Sequence, residues 1–196
     1  MRRFAALYAE LDASTSTQAK LEALRRYFGD APPDDAAWVV YFLAGGKPRQ
    51  VVRTAALRAT ACELAGVSDW LFEASYQVVG DLAETISLLI PDGQDGQSPL
   101  AQLGLSDWMT EQLLPLRGQS PEAVDAALRA MFAALDATGR FLLIKLVGGG
   151  FRVGVSKLLV QRALAEHAGL DPKRVAQRMM GYTDAKSMPT ASGFLA

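Results

Sequence analysis

Residues 145–157 combine the residue types best suited to bind an anion. The segment is Lys-Leu-Val-Gly-Gly-Gly-Phe-Arg-Val-Gly-Val-Ser-Lys, and its glycines are Gly148, Gly149, Gly150 and Gly154. Glycine lets a backbone approach a ligand closely and present its N–H groups. Arg152 and Lys157 add positive charge at the same place. We therefore predict that this segment holds an anion through its backbone.

The spacing of the glycines limits which anion this is. A Walker-type phosphate loop has lysine directly after the second glycine of G-x-x-x-x-G, and counting from Gly149 that position is Val155. The dinucleotide pattern G-x-G-x-x-G, counted from Gly148, ends on Val153 and also fails. Mononucleotide binding is therefore disfavoured, whereas a repeated polyanion such as a nucleic-acid backbone stays open. The structural alternative is a sharp turn between two helices with positive φ at several glycines.

The composition describes a globular protein. Of 196 residues, 50% are hydrophobic and 21% charged, which excludes intrinsic disorder. No apolar run approaches the roughly 20 residues that span a membrane, and the amino terminus lacks a signal-peptide pattern. Cys62 is the only cysteine, so an internal disulfide is impossible. We therefore expect an intracellular protein with no membrane partner.

The net charge of −1 conceals an uneven distribution. Residues 1–139 hold 11 Lys/Arg and 18 Asp/Glu, a net −7, whereas residues 140–196 hold 9 and 3, a net +6. A second basic segment, residues 36–62, has no acidic residue and contains Lys47, Arg49, Arg53 and Arg58. This pattern predicts a positive face that attracts polyanions, with ordinary solvated helix faces as the alternative.

The hydrophobic periodicity predicts an all-α fold of roughly ten helices. We expect one multi-helix domain over residues 1–181 and a linker or docking tail over residues 182–196. The predicted helix starts are at Asp81, Ser120, Ser156 and Asp171. Thr138-Gly139 is predicted to separate two helices. The three tryptophans have apolar neighbours and are predicted to lie in the core; they are Trp38, Trp70 and Trp108.

Residues for catalysis or for binding metal are scarce. His167 is the sole histidine, it lies on a polar helix face, and no cysteine cluster is present. Asp81 and Glu84 are one helical turn apart, but negative charge is favoured at a helix N-terminus and capping explains them. We predict no catalytic residue and no metal site in this chain.

Several motifs, taken in their order, resemble a known family. Residues 145–164 resemble a signature of the N-terminal DNA-binding domain of ATP-dependent DNA ligases, and Val79–Thr85 (Val-Gly-Asp-Leu-Ala-Glu-Thr) resembles a second signature of that domain. Further similar segments are Phe4–Tyr8, Tyr41–Pro48 and Arg178–Tyr182. The resemblance covers nearly the whole chain, and it is closest to bacterial ligases of the DNA damage response.

The resemblance implies a function in DNA repair, carried out by a monomeric, cytoplasmic and nucleoid-associated protein. In this family the domain is helical, holds nicked duplex DNA across the minor groove without sequence specificity, and completes a clamp with an adenylation domain and an OB-fold domain. It implies that Gly148–Gly154 contacts the DNA backbone, assisted by Arg152 and Lys157. A second contact is implied for the loop with Lys47 and Arg49, whose pattern of basic residues differs from that of the larger eukaryotic relatives.

The chain lacks the residues that such a ligase needs for its chemistry. These ligases adenylate the lysine of a Lys-x-Asp-Gly motif, and none of the six lysines here is followed by x-Asp-Gly. We therefore expect a fragment or separately produced domain that is inactive alone, with ATP and Mg²⁺ used by the adenylation domain. Two alternatives stay open: a free-standing helical DNA-binding protein, and a helical protein–protein interaction module.

Overall fold

Short polar side chains cap the first turn of five of the described helices. The structure, a computed structural model, describes residues 1–91, 98–148, 150–184 and 188–195. Side-chain oxygens accept backbone N–H groups of the first turn at Ser16, Asp81, Ser120, Ser156 and Asp171. Each such cap satisfies a donor that has no partner inside the helix. The four predicted helix starts are confirmed.

The predicted all-α class is also confirmed. Within the described residues there are thirteen α-helices and no strand, and ten of the helices have seven residues or more. In chain order they are α1 (Arg2–Ala13), α2 (Thr17–Asp30), α3 (Pro33–Leu43), α4 (Thr54–Ala65), α5 (Asp69–Val79), α6 (Leu82–Leu89), α7 (Pro99–Gln102), α8 (Leu105–Asp107), α9 (Pro121–Ala134), α10 (Ala137–Gly148), α11 (Lys157–Ala168), α12 (Pro172–Arg178) and α13 (Ala191–Leu195). A π-helical stretch (Trp108–Leu113) and a 3-10 turn (Leu114–Leu116) follow α8. Among the described helices, none combines the length and the hydrophobicity that a membrane span requires.

One predicted helix boundary is wrong. The sequence predicts a break between two helices at Thr138-Gly139, but both residues lie in the first turn of α10. The reason is local: the Asp136 carboxylate accepts the backbone N–H of Gly139 at 2.7 Å and so starts the helix earlier.

The helices form two compact units. Unit 1 consists of Met1, Gln50–Leu103 and Asp107–Gly148, and in it α6 packs against α5 and α10 while α4 packs against α9. Its largest fully buried side chains are Trp108, Arg140, Phe72, Phe132 and Ile86.

Arg140 is the unusual member of this core, because a charged side chain is rarely fully buried. Its Nε donates to the Phe132 carbonyl oxygen at 3.0 Å and its Nη1 to the Ile90 carbonyl oxygen at 2.7 Å. The residue therefore joins the end of α9 to the end of α6. It is one of the nine basic residues of segment 140–196, and its burial removes it from any positive surface.

Unit 2 consists of Arg2–Arg49, Gly104–Ser106 and Gly149–Ala196. Here α11 packs against α2 and α12, α1 packs against α2, and α13 packs against α3. Its largest fully buried side chains are Trp38, Tyr41, Phe4, Leu11, Leu21 and Leu24.

The described part of the tail packs on unit 2. The Ala191 N–H donates to the Asp34 carboxylate at 2.8 Å, and the rings of Phe28 and Phe194 are 6.0 Å apart. The Tyr182 hydroxyl donates to the Ala37 carbonyl oxygen at 3.2 Å. Residues 185–187 and 196 of the predicted tail lie outside the described residues, and its docking toward an adenylation domain stays a prediction.

The prediction for the tryptophans is right for two of three. Trp38 and Trp108 are 2% and 0% exposed, but Trp70 is 72% exposed. The cause is the phase of α5, which turns Phe72 into the core and so points Trp70, about 200° away around the helix, outward.

Candidate nucleic-acid interface

Phe151 anchors the segment that follows the glycines. Its ring meets the rings of Phe4 at 5.3 Å, Tyr8 at 6.1 Å and Phe42 at 5.2 Å, all in edge-on or tilted arrangements. Such aromatic contacts stabilise a loop by burying apolar area at low entropic cost. The backbone on either side of Phe151 is therefore held against α1 and α3.

Lys20 is a second anchor, and sequence reasoning missed it. Its side chain is buried, 7% exposed, and its ammonium group donates to the carbonyl oxygen of Val153. The sequence does contain a signal for the burial of Lys20. This residue precedes Leu24 and Tyr27 by one and two turns, and so lies on the apolar face of α2. A cation thus lies directly beneath the segment that is predicted to bind an anion.

Gly154 is required by the fold. Its φ of +62° lies in the left-handed region, and a Cβ there would stand 2.6 Å from the Lys20 ammonium nitrogen. An L-residue at this position would be strained and would also displace the Lys20 hydrogen bond.

Replacing Gly154 by alanine is therefore expected to destabilise the protein by more than the cost of a left-handed backbone conformation alone. Gly169 is the matched control, because it has φ +64° and, in the described part of the chain, no atom lies within 4 Å of the place that its methyl group would take. G169A should cost about 1 kcal/mol, whereas G154A should cost about 2 kcal/mol or more, measured by urea unfolding. Equal losses in the two variants would show that Lys20 does not hold this turn.

Gly148 and Gly150 are not required by the fold. Neither has a positive φ, and a Cβ at either would meet no heavy atom of the described residues within 4 Å. Gly148 ends α10 in unit 1, Gly150 belongs to unit 2, and Gly149 lies outside the described residues. Of the described glycines in the segment, only Gly154 fits the alternative of a turn that needs positive φ at several positions.

Arg152 and Lys157 are both exposed. Neither forms an ion pair or hydrogen bond with any described residue, so neither charge is neutralised by these parts of the protein. Lys157 is the first residue of α11, where Ser156 caps the helix and the helix dipole adds positive potential. Each of these two side chains can therefore bind anionic oxygens of a ligand that approaches from solvent.

The Lys47 and Arg49 side chains are also exposed, on the segment that follows α3. This segment leaves the helix through a tight turn in which the Gly46 N–H donates to the Tyr41 carbonyl oxygen at 2.8 Å. One turn of α3 earlier, Phe42 contacts Phe151. The structure therefore brings the end of α3 and the segment around Phe151 into contact within unit 2.

Lys145, the first residue of the segment, has a structural role instead. Its ammonium group forms an ion pair with Asp81 and lies 5.2 Å from the centre of the Phe141 ring. Partial burial opposes ionisation of Asp81, but hydrogen bonds from Lys145 and from the Glu84 and Ala83 N–H groups outweigh it and lower the pKa of Asp81. Within unit 1 this contact joins the two signature segments noted in the sequence.

Replacing Asp81 by asparagine is expected to reduce stability at neutral pH by about 1 kcal/mol, from the weakened cap and the lost ion pair. Since the folded-state pKa of Asp81 lies below its usual value, the wild-type advantage is complete above about pH 4 and is lost as pH falls through the lowered pKa. Urea unfolding of both proteins between pH 7 and acid conditions measures this. If the free energies of unfolding of the two proteins differ by the same amount at every pH, this expectation is contradicted.

The two units carry opposite charge. Unit 1 holds 6 Lys/Arg and 12 Asp/Glu, a net −6, and unit 2 holds 14 and 9, a net +5. The positive charge predicted for residues 140–196 is thus divided by the fold, because Arg140 and Lys145 belong to the acidic unit. No group of three potential metal ligands occurs among the described residues.

The chain matches a protein-family model. The family described as DNA ligase N terminus matches residues 1–165, which include the segment 145–157, Lys47 and Arg49. The match spans most of both units. No curated protein matches this chain.

Proposed function

This chain belongs to the DNA ligase N-terminal family, a non-catalytic DNA-binding part of a ligase, and from that premise we propose that it binds nicked duplex DNA through the phosphate backbone and across the minor groove. The observation that carries the proposal is the pair Arg152 and Lys157, exposed and unpaired among the described residues, next to glycines that the fold does not need. Backbone N–H groups and basic side chains position a protein on phosphates without identifying bases.

Lack of sequence specificity is a requirement of this function. A ligase seals nicks in any sequence, so contacts to base edges would restrict its substrates. The candidate interface offers mainly backbone amides and two flexible cations, which suit phosphate oxygens. Lys47 and Arg49 supply a second phosphate contact in this proposal, because the end of α3 lies against Phe151.

We place the chemistry of ligation elsewhere in the ligase. Adenylation and OB-fold domains are the proposed partners, and ATP and Mg²⁺ act in the adenylation domain, because no lysine of this chain is followed by x-Asp-Gly. A bacterial ligase of the DNA damage response, serving repair, is the parent protein that the motifs favour.

Binding to a labelled nicked duplex, measured by fluorescence anisotropy over a range of salt concentrations, tests the proposal. Binding is expected at low salt and should weaken steeply as salt rises, because neutralised phosphates release counterions. An intact duplex and several unrelated sequences serve as comparisons, and equal affinity across the sequences is expected. Absence of binding at low salt would overturn the proposal.

Replacing Gly150 by alanine is expected to separate DNA binding from folding. The added methyl group meets no atom of the residues that the structure describes, so the unfolding midpoint should not fall. If a phosphate approaches the backbone here, the methyl group blocks it and affinity should drop roughly tenfold, the loss of about one hydrogen bond to a charged group. Gly29→Ala, an exposed glycine of α2 outside the interface, should leave affinity unchanged. Unchanged affinity in G150A would mean that the ligand does not approach this backbone.

A further inference from the structure

Lys20 carries a buried positive charge that forms no ion pair with any described carboxylate. Its side chain is 7% exposed, and its ammonium group donates to the carbonyl oxygen of Val153. A lysine is rarely buried to this degree without a charged partner, because its ammonium group gives up its hydration. Unit 2 does form ion pairs, but with other cations such as Arg25 and Arg162. The Lys20 charge therefore acts mainly on the peptide group that it contacts.

One peptide group connects Lys20 to the outer side of the segment. The carbonyl of Val153 and the N–H of Gly154 belong to the same peptide group, which is planar and trans like the other peptide bonds of the described chain. In a trans peptide group the C=O and N–H bonds point in opposite directions. Because the Val153 oxygen points to the buried ammonium group, the Gly154 N–H points away from it.

The Gly154 N–H is not used by the described part of the protein. Gly154 is exposed, and its N–H donates to no described residue. The same holds for each backbone N–H from Gly150 to Leu158, and the first one that is bonded is that of Leu159, which the Ser156 hydroxyl accepts. Backbone N–H groups normally have a partner, so these hydrogen bonds are left to partners outside the described residues.

The contact with Lys20 makes the Gly154 N–H a stronger donor. A hydrogen bond from a cation to a carbonyl oxygen polarises the peptide group and increases the partial positive charge on its hydrogen. This polarisation is strongest where the local dielectric constant is low, as it is around a buried side chain. A Cβ on Gly154 would stand 2.6 Å from the Lys20 nitrogen, so this close approach requires glycine.

We propose that Lys20 is a positioning residue for DNA binding. Through the Val153 carbonyl it directs the Gly154 N–H toward a phosphate oxygen and strengthens that hydrogen bond, while Lys20 itself does not contact DNA. The proposal rests on the proposed function, since it takes a phosphate of DNA as the ligand of this segment. It differs from a purely structural role of Lys20, because holding the turn needs only a hydrogen-bond donor, whereas strengthening the N–H needs a cation.

Solvent-exchange NMR of the Gly154 amide tests the effect of the charge without DNA. Near neutral pH, exchange proceeds by removal of the amide proton by base, which a nearby cation accelerates. Lys20→Met should therefore slow the exchange about fourfold, the effect of a unit charge roughly 5 Å away in water. Loss of a purely structural contact would not slow it, since this N–H has no partner among the described residues.

Two further variants and one control amide separate charge from folding. Lys20→Arg keeps the charge and should keep the exchange rate. Lys20→Gln keeps a donor without a charge and should exchange as slowly as K20M, so it is a second neutral variant in case methionine disturbs the fold. The amide of Gly118 is the matched control, because Gly118 is exposed, has φ +79° and donates its N–H to no described residue. Its rate should be the same in all four proteins.

Binding to nicked duplex DNA tests the consequence for the ligand. K20M should bind about tenfold more weakly, as when a hydrogen bond to a charged group is lost, and K20R should bind like the wild type. The slope of log K against log salt should stay unchanged in K20M, because a lysine that does not contact phosphate displaces no counterion from DNA.

Three results would overturn the proposal. They are a Gly154 exchange rate in K20M or K20Q equal to that of the wild type, an unchanged affinity of K20M for nicked duplex, and a shallower salt slope in K20M, which would mean that Lys20 contacts phosphate directly. A wild-type chain that binds no DNA would instead overturn the proposed function. The exchange measurement uses no DNA, so the two failures can be distinguished.

Discussion

Replacing Arg152 and Lys157 together by alanine is expected to lower the affinity for nicked duplex DNA on the order of 100-fold, because each loses a hydrogen bond between charged groups worth about 1.5 kcal/mol. Both side chains are exposed and make no ion pair with a described residue, so their removal breaks no contact inside the described protein. The helical circular dichroism spectrum and the unfolding midpoint should therefore be unchanged.

The salt dependence gives the more specific readout for this variant. Each lost phosphate contact reduces the slope of log K against log salt by about 0.9, so the double variant should be shallower by about 2. Lys173→Ala with Arg174→Ala is the matched control, since it removes the same charge from exposed positions on α12 of the same unit. The control variant is compared directly with the double variant at Arg152 and Lys157. If its affinity and its salt slope fall by the same amounts, net charge and not the Phe151 segment determines binding.

Replacing Arg140 by leucine is expected to give the largest loss of stability, about 3–5 kcal/mol. Leucine preserves much of the apolar contact but leaves the carbonyl oxygens of Phe132 and Ile90 without the donors they have now. Each buried polar group left unsatisfied costs about 1–3 kcal/mol, against a total stability of about 5–15 kcal/mol for a typical domain.

Urea unfolding followed by circular dichroism measures the effect of R140L. Lysine at the same position keeps one donor and should fall between leucine and the wild type, because an ammonium group cannot reach both carbonyl oxygens in the way that the guanidinium does. Arg174→Leu, at an exposed position, should change stability by less than about 0.5 kcal/mol. A midpoint for R140L equal to that of the exposed control would show that Arg140 does not join α9 to α6.

Local signals make most of the helices predictable. Asp81, Ser120, Ser156 and Asp171 start helices where the sequence predicts, because a cap depends on residues within three positions of it. The same locality explains the error at Thr138-Gly139, where the carboxylate of Asp136 outweighs the helix-breaking tendency of the glycine.

The candidate interface is predictable in its members but not in its support. The sequence indicates Gly148–Gly154, Arg152 and Lys157 as an anion-binding segment, and it indicates Lys47 and Arg49 as a second basic segment. It does not indicate that Phe151 anchors the segment on Phe4 and Phe42. Contacts between residues more than a hundred positions apart are set by packing, for which residue spacing carries no signal.

The sequence by itself determines the helical class, the caps, the resemblance to a ligase domain and the absence of a Lys-x-Asp-Gly motif, since each depends on residue type and short-range spacing. Only the tertiary structure decides which charges are available. Arg140 and Lys20 are buried as donors to backbone carbonyl oxygens, Lys145 pairs with Asp81, and Arg152 and Lys157 stay in solvent. The physical reason is that a formal charge belongs to a residue type, whereas its hydration and its partners belong to the position that folding gives it.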